Sequence, residues 1–227
     1  MHVPPETVAR GSGVTGEVVL RRRTTPAGDV HELIVNGICL MDTAETSTER
    51  LLAESVLERH AAPRRVLVGG LGLGFTVAEL LADPRVELVD VVEIEPLLSE
   101  WLREGLVPGV DHVLTDPRVS VVDDDVRAVL GAAPPGRYDG VLLDVDNGPD
   151  FLVRSENAAL YERPALKEAE SALGDGGVLA VWSAAPSSHL VDALTRTVGT
   201  VEELVRTVIR EGRDVDYYAY LATRATP

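Results

Sequence analysis

The sequence predicts an α/β fold in which a Rossmann-like, seven-stranded sheet follows a small β unit at the N-terminus. From Arg64 onward, short apolar runs alternate with helical segments, which is typical of parallel strands joined by crossover helices. The first of these runs leads directly into a glycine-rich turn, as in α/β folds that bind nucleotides. The residues before Arg64 show a different pattern, with turn residues between short β-branched segments.

The N-terminal region divides into a tail and a β unit. Residues 1–12 are polar and rich in Pro and Gly, so we expect a loose tail there. Strands are predicted at 16–23, 30–35 and 38–41, the last two joined by a tight turn at Asn36-Gly37. A linking helix over residues 47–60 then completes a unit that we place at residues 13–61.

Residues 62–227 form the predicted nucleotide-binding catalytic domain. Continuous apolar strands such as Val141-Leu142-Leu143 indicate burial on both faces of the sheet. The last two strands are close enough in sequence to form a hairpin-like pair. The seven strands are expected at residues 66–69, 88–93, 119–122, 140–144, 178–182, 201–208 and 217–223.

Composition excludes several classes of partner. The 227 residues include 37 acidic and 21 basic side chains, a net charge of -16, which disfavours binding to nucleic acid or to anionic membranes. No segment approaches the ~18 apolar residues that a membrane span requires. Cys39 is the only cysteine, and the N-terminus lacks the basic and apolar pattern of a signal peptide. We therefore expect a cytoplasmic protein.

The glycine-rich turn is the first candidate ligand site. Gly70, Gly72 and Gly74 alternate with leucines, and glycine lets the backbone approach a ligand closely. Glu93 ends the next predicted strand, 19 residues after Gly74, near the spacing of an acid that accepts hydrogen bonds from ribose hydroxyls. The spacing G-x-G-x-G lacks the full pyrophosphate-binding pattern, which favours an adenosine ligand without phosphates. The alternative is a tight turn that binds nothing.

A second candidate segment follows the third predicted strand. Asp124 and Asp125, next to Val126, lie where a carboxylate could accept a hydrogen bond from an adenine amino group. The alternative is that these acids cap a helix N-terminus, where the helix dipole favours negative charge.

The order and spacing of these motifs resemble the spermidine synthase (aminopropyltransferase) family over about residues 33–180. The resemblance implies an N-terminal β domain, possible dimers, and a Rossmann domain of the S-adenosylmethionine-dependent methyltransferase type. It also implies aminopropyl transfer from decarboxylated S-adenosylmethionine to putrescine or a similar amine, leaving methylthioadenosine. In such a site Glu93 would hold the ribose, Asp125 the adenine, and Asp144 would face the reacting amine. The matching segments are residues 66–81, 91–95, 118–130, 138–144 and 160–179.

A physical argument independently supports Asp144 as the catalytic residue. It ends a buried strand at the carboxyl edge of the sheet, where open α/β folds collect their ligands. An alkylammonium with a pKa of about 10.4 must lose a proton before its nitrogen can attack carbon, and a carboxylate can accept that proton. The alternative role for Asp144 is to cap the following loop. Asp144 and Asp146 have no third ligand nearby in sequence, so no metal is expected.

The sequence also departs from the family pattern around the acceptor. Leu73 and Leu40 stand where the family has an aspartate and a glutamine. The family's D-x-x-D pair corresponds here to Asp144-Val145-Asp146-Asn147, so the second aspartate is replaced by Asn147 or displaced to Asp146. Of the family's Tyr-His-Glu motif, this chain keeps only the glutamate, Glu54. Asp146, Asn147 and Glu54 are therefore the predicted substrate residues. Because apolar replacements would leave ammonium groups unpaired, these departures favour an acceptor other than the usual diamine.

Three functions follow from these observations. The first is a spermidine synthase-like transferase that alkylates a small amine. The second is an S-adenosylmethionine-dependent methyltransferase with S-adenosylhomocysteine as its product, which Leu73 favours because it leaves no acid to select a decarboxylated donor. The third is a non-catalytic homologue that binds the nucleoside without turnover.

Overall fold

Two β-sheets and six α-helices make up the computed structural model, which describes residues 4–152, 154–210 and 212–226. The α/β fold predicted from the sequence, with its small N-terminal β unit, is confirmed. Within the described ranges, no helix has the length and apolar character needed to cross a membrane.

The N-terminal sheet has four antiparallel strands in chain order, rather than the three expected. The prediction of a loose tail is wrong from Glu6 onward, because residues 6–13 form an edge strand that pairs with the next one. Few apolar residues mark this strand; backbone pairing and the approach of Gly11 to Leu97 hold it in place. Residues 1–3 of the predicted tail lie outside the described residues. The strands are β1 (Glu6–Gly13), β2 (Gly16–Thr25), β3 (Gly28–Val35) and β4 (Ile38–Asp42).

The main sheet contains all seven predicted strands, in the order β10-β11-β9-β8-β5-β6-β7. Six strands run in the same direction, whereas β11 runs antiparallel to its neighbours β9 and β10, as the hairpin-like pattern indicated. The strands are β5 (Arg65–Gly69), β6 (Leu88–Glu93), β7 (Val119–Asp123), β8 (Tyr138–Leu143), β9 (Leu173–Ser183), β10 (Val201–Arg210) and β11 (Arg213–Thr223).

The helices cover both faces of the main sheet and bury two aliphatic clusters. The cluster beneath the first three helices includes Leu52, Val77 and Leu98. The cluster beneath the last three helices includes Leu130 and Leu166. The helices are α1 (Ser47–Arg59), α2 (Phe75–Ala82), α3 (Pro96–Arg103), α4 (Val126–Ala132), α5 (Arg163–Ala172) and α6 (Ser188–Thr197).

The strand order changes direction at β5, which has β6 on one side and β8 on the other. Open α/β sheets bind ligands at such a switch, outside the carboxyl ends of the strands. Backbone bonds hold these ends together: Gly70 N donates to Val92 O at 2.9 Å, and Asp144 N donates to Gly69 O at 2.8 Å. The glycine turn, Glu93 and Asp144 therefore meet at one edge of the sheet.

Glu95 joins the N-terminal sheet to the main sheet. Its carboxylate accepts hydrogen bonds from the backbone N (3.0 Å) and the hydroxyl (2.9 Å) of Thr15, in the turn between β1 and β2. The same side chain caps α3 by accepting from Leu97 N. Because Glu95 is only 2% exposed, its loss would leave buried donors unpaired.

We expect Glu95→Ala to lower the free energy of unfolding by about 1–3 kcal/mol, the cost of leaving buried hydrogen-bonding groups unsatisfied. Chemical denaturation monitored by circular dichroism measures this difference. Glu87→Ala is the matched control, because Glu87 forms an exposed pair with Arg64 that should contribute little. Equal losses in the two variants would contradict the assigned role of Glu95.

Candidate functional site

The turn between β5 and α2 requires glycine at two positions. Gly70 has φ +94°, and a Cβ there would lie 2.2 Å from the backbone oxygen of Asp144. Gly72 has φ +52°, and a Cβ would lie 2.7 Å from Sδ of Met41. Glycine therefore lets the end of β8 and the N-terminal sheet approach the turn closely.

A cavity of about 980 Å³, counting its open mouth, lies beside this turn. Concave clefts outside the carboxyl ends of parallel strands are typical small-molecule sites. Gly74 does not line the cavity; it precedes α2 and faces Leu102. The predicted site residues that do line it are Gly70, Gly72, Glu93, Asp124, Asp125, Val126, Asp144, Asp146 and Asn147.

Glu93 is buried at the end of β6, and its two carboxylate oxygens accept different backbone hydrogen bonds. Oε2 accepts from Leu71 N in the glycine turn at 2.7 Å, and Oε1 accepts from Glu95 N at 2.8 Å. Burial raises the pKa of Glu93, and these N–H donors partly offset that rise. Each carboxylate oxygen can accept a further hydrogen bond, so Glu93 can still receive ligand hydroxyls.

The acidic segment after β7 combines a helix cap with a cavity wall. Asp125 is the N-cap of α4 and accepts from Arg127 N at 2.9 Å, as the capping alternative predicted. The Arg127 guanidinium also binds Asp125 and holds the pKa of its carboxyl below the usual range. Asp124 is exposed, whereas Val126 is buried against Gly69. The adenine contact stays a prediction.

Asp144 follows β8, and its Oδ2 accepts a hydrogen bond from the Thr76 hydroxyl at 3.0 Å. Burial, together with the nearby charges of Glu49 and Glu93, raises the pKa of Asp144 to about 7, although the Thr76 bond opposes this rise. A carboxyl with this pKa can hold or release a proton near neutral pH. Asp144 is therefore suited to proton transfer with a bound ligand.

Glu49 is a second acid near Asp144 that sequence reasoning missed. It lies in the first turn of α1, is 5% exposed, and lines the cavity. The Thr48 hydroxyl donates to Glu49 at 2.7 Å, and burial raises the pKa of the Glu49 carboxyl. Helical periodicity offered a signal, because Glu49 lies three, four and seven residues before the buried Leu52, Ala53 and Val56.

The structure does not bring Glu54, a predicted substrate residue, to the cavity. Glu54 follows Glu49 by five residues, which places it on a different face of α1. Its half-exposed side chain lies 3.9 Å from Arg206 and does not line the cavity.

The segment after β8 brings Asp146 and Asn147 to the cavity. Asp146 has φ +57° and accepts a hydrogen bond from Asn157 at 2.8 Å. The carbonyl of Asn147 accepts from Ala184 N at 3.1 Å, so the start of the segment is tied to the residues after β9. Further along, Phe151 is 58% exposed.

The N-terminal sheet supplies an apolar wall to the same cavity. Leu33, Val35, Leu40 and Met41 line it, as does Trp182 at the end of β9. Leu73 is buried and lies outside the lining, and its N–H donates to Sδ of Met41 at 3.2 Å. Among the residues that the structure describes, no three His, Cys, Asp or Glu side chains are grouped to hold a metal ion.

Sequence comparison relates the chain to known proteins. A family model described as spermine/spermidine synthase domain matches residues 45–210. Polyamine aminopropyltransferase 2 of Pseudomonas aeruginosa is 34% identical over 168 residues, covering 70% of this chain and 46% of that protein. Putrescine N-methyltransferase 4 of Nicotiana tabacum is 35% identical over 117 residues, covering 52% of this chain and 29% of that protein. The chain thus spans less than half the length of these relatives.

Solved structures show the same fold at low sequence identity. A spermidine synthase in complex with the transition-state analogue AdoDATO gives a TM-score of 0.83 at 17% identity, over 97% of this chain and 74% of that one. The spermidine synthase of Thermotoga maritima gives a TM-score of 0.79 at 16% identity, with the same coverage. These matches include the N-terminal sheet as well as the main sheet.

The raised pKa of Asp144 predicts a pH-dependent stability. The folded protein binds the Asp144 proton more tightly than the unfolded chain does. Protonation of Asp144 therefore contributes its full share to the free energy of unfolding below about pH 4. This contribution is lost as the pH rises to about 7 and Asp144 becomes charged in the folded protein. Asp144→Asn stays neutral, and we expect its Tm advantage over the wild type to widen between these pH values and then remain constant.

Thermal unfolding at several pH values measures this effect. Asp150→Asn is the control, because Asp150 is an exposed acid in the following segment. Parallel Tm curves for Asp144→Asn and the wild type would contradict the burial of a charged Asp144.

Proposed function

Because this chain belongs to the spermine/spermidine synthase family, we propose that it transfers an alkyl group from S-adenosylmethionine, or its decarboxylated form, to a small amine. The observation that carries this proposal is the grouping of Glu49, Glu93 and Asp144 around one cavity at the switch in strand order. Burial raises the pKa of all three carboxyls, so a cationic ligand would stabilise their charged forms. Both proposed substrates carry such a positive charge.

The cavity has the features that an adenosyl donor requires. The absence of side chains at Gly70 and Gly72 leaves the backbone of the turn accessible, and Glu93 offers carboxylate oxygens to ribose hydroxyls. Asp124 or Asp125 would accept from the adenine amino group, with Val126 packing beside the base. When bound, the donor supplies a sulfonium, whose adjacent carbon forms a bond to the amine nitrogen as the C–S bond breaks and its electron pair stays on sulfur.

Asp144 would prepare the acceptor for this reaction. An ammonium group has a pKa of about 10.4, so an ordinary aspartate is too weak a base to accept its proton readily. The pKa of Asp144, about 7, is closer to the pKa of the amine than that of an ordinary aspartate is. Thr76 fixes one carboxylate oxygen, and Glu49 adds a second negative charge that attracts the ammonium. Most of the acceleration would then come from positioning the nitrogen against the donor carbon.

Methyl transfer is the second candidate for the reaction. Its support is Leu73, a buried apolar residue at the position where the resemblance implies an acid that holds the aminopropyl amine. Without that acid, nothing at this position selects a decarboxylated donor. The two reactions share the roles of Glu93 and Asp144 and differ in the group transferred.

The decisive experiment incubates the protein with one donor at a time and a panel of small primary amines, and identifies the products by mass spectrometry. Gain of an aminopropyl group supports the first reaction, and gain of one methylene supports the second. Methylthioadenosine binding without any product would support a non-catalytic homologue and contradict the proposed transferase activity.

Two variants test the assigned roles in this assay. Glu93→Gln should weaken methylthioadenosine binding roughly tenfold or more, because an amide nitrogen cannot accept hydrogen bonds. Asp144→Asn should leave that binding within about twofold but lower kcat by roughly 100-fold, because the proton acceptor is lost. Glu58→Gln, an exposed position on α1, is the control. Equal loss of calorimetric binding in both test variants would contradict these roles.

The pH dependence of activity provides a further test. Asp144 must be deprotonated to accept a proton, so we expect kcat/KM to rise with pH through about 7. The Thr76 hydrogen bond lowers the pKa of Asp144, and Thr76→Val should therefore shift this rise to higher pH. Thr195→Val, at an exposed position on α6, should leave the profile in place. An unshifted profile in Thr76→Val would rule out Asp144 as the titrating group.

A further inference from the structure

Trp182 lies beside Asp144 at the carboxyl edge of the sheet. β8 and β9 are parallel, with Leu143 opposite Val181, so the next residues along the two strands are neighbours. Side chains alternate between the two faces of a sheet, and Trp182 shares the face of the cluster beneath α1. Its indole ring is 6% exposed and lines the cavity. Trp182 therefore lines the cavity next to Asp144, where the proposed function puts the acceptor.

The indole N–H of Trp182 is buried and has no hydrogen-bond partner among the described residues. Buried donors are rarely left unpaired, and each costs stability. An indole N–H can only donate a hydrogen bond, and an ammonium group also only donates. A second ammonium on the acceptor therefore cannot satisfy Trp182, whereas an oxygen with a lone pair can.

The neighbouring wall is equally unsuited to a second positive charge. The side chains that line the cavity here are apolar, namely Leu33, Val35, Leu40 and Met41. Burying an unpaired ammonium against such a surface is costly. One face of the Trp182 ring is stacked on Tyr217, with the ring centroids 5.5 Å apart, so only the other face could attract a cation.

We propose that the acceptor is a primary amine whose far end carries a neutral oxygen, as in an amino alcohol, and that the Trp182 N–H donates to this oxygen. This inference rests on the proposed function, because the amine end would react at Asp144. There the nitrogen loses a proton to Asp144 and forms the N–C bond, while the C–S bond of the donor breaks and the oxygen end is unchanged. Trp182 would select the acceptor without taking part in the chemistry.

The test compares three acceptors of matched length: aminobutanol, putrescine and pentylamine. We expect kcat/KM for aminobutanol to exceed that for each of the others by about tenfold, as for one buried hydrogen bond. In Trp182→Phe, which keeps an aromatic ring but lacks the N–H, the ratio of aminobutanol to pentylamine should fall to about one. Preference for putrescine, or an unchanged ratio in this variant, would overturn the inference.

Trp101→Phe is the matched control, because Trp101 is equally buried but does not line the cavity. The ratio should not change in this variant. The sequence contains two tryptophans, so Trp182 is the only one left in Trp101→Phe, and its fluorescence can be followed directly. Aminobutanol, but not pentylamine, should shift the emission to longer wavelength as the N–H gains a partner.

The two readouts separate the inference from the proposed function. An emission shift with aminobutanol but no product from any amine and either donor would contradict the transferase and support recognition by Trp182. Turnover with no difference in emission between aminobutanol and pentylamine would support the transferase and overturn the role of Trp182. The fluorescence result does not depend on whether Trp182→Phe folds.

Discussion

The carboxylate of Glu93 is the interaction on which the site depends. It binds the backbone of the glycine turn through Leu71 N and the start of the next loop through Glu95 N. Glu95 in turn binds Thr15 in the N-terminal sheet. One connected set of hydrogen bonds thus fixes the turn, the edge of the main sheet and the small sheet that forms the opposite wall. Such buried networks are rigid because each member would otherwise be unsatisfied.

Electrostatics divides the cavity into two regions. Beside the acidic segment after β7, Arg127 and, more weakly, Arg154 lower the pKa of the Asp125 carboxyl. Beside Asp144, burial raises the pKa of both Asp144 and Glu49, and the charge of Glu49 raises the pKa of Asp144 further. Arg210 offsets only part of the charge of Glu49, since its guanidinium binds Asp42 and lies over Tyr217. The second region is therefore the one where a positively charged substrate would be stabilised most.

The N-terminal sheet gives this acidic protein an apolar wall on one side of its cavity. Leu33 and Leu40 lie on neighbouring strands of this sheet and face the same cavity as Trp182. The net charge of -16 might suggest an acidic polyamine site, but most of the acids lie elsewhere. In the proposed complex, shape and the single N–H donor of Trp182, rather than charge, would select the far end of the acceptor.

The sequence by itself determined the seven strands, the glycine turn, and the placement of Glu93 and Asp144 at strand ends. These features follow from local apolar runs and from the rule that parallel strands gather ligands at their carboxyl ends. Tertiary structure decided the rest. The edge strand β1 lacks an apolar pattern and exists through its pairing with β2. Packing orients α1 so that Glu49, rather than Glu54, faces the cavity. The absence of a hydrogen-bond partner for the Trp182 N–H among the described residues depends on all the side chains packed around it.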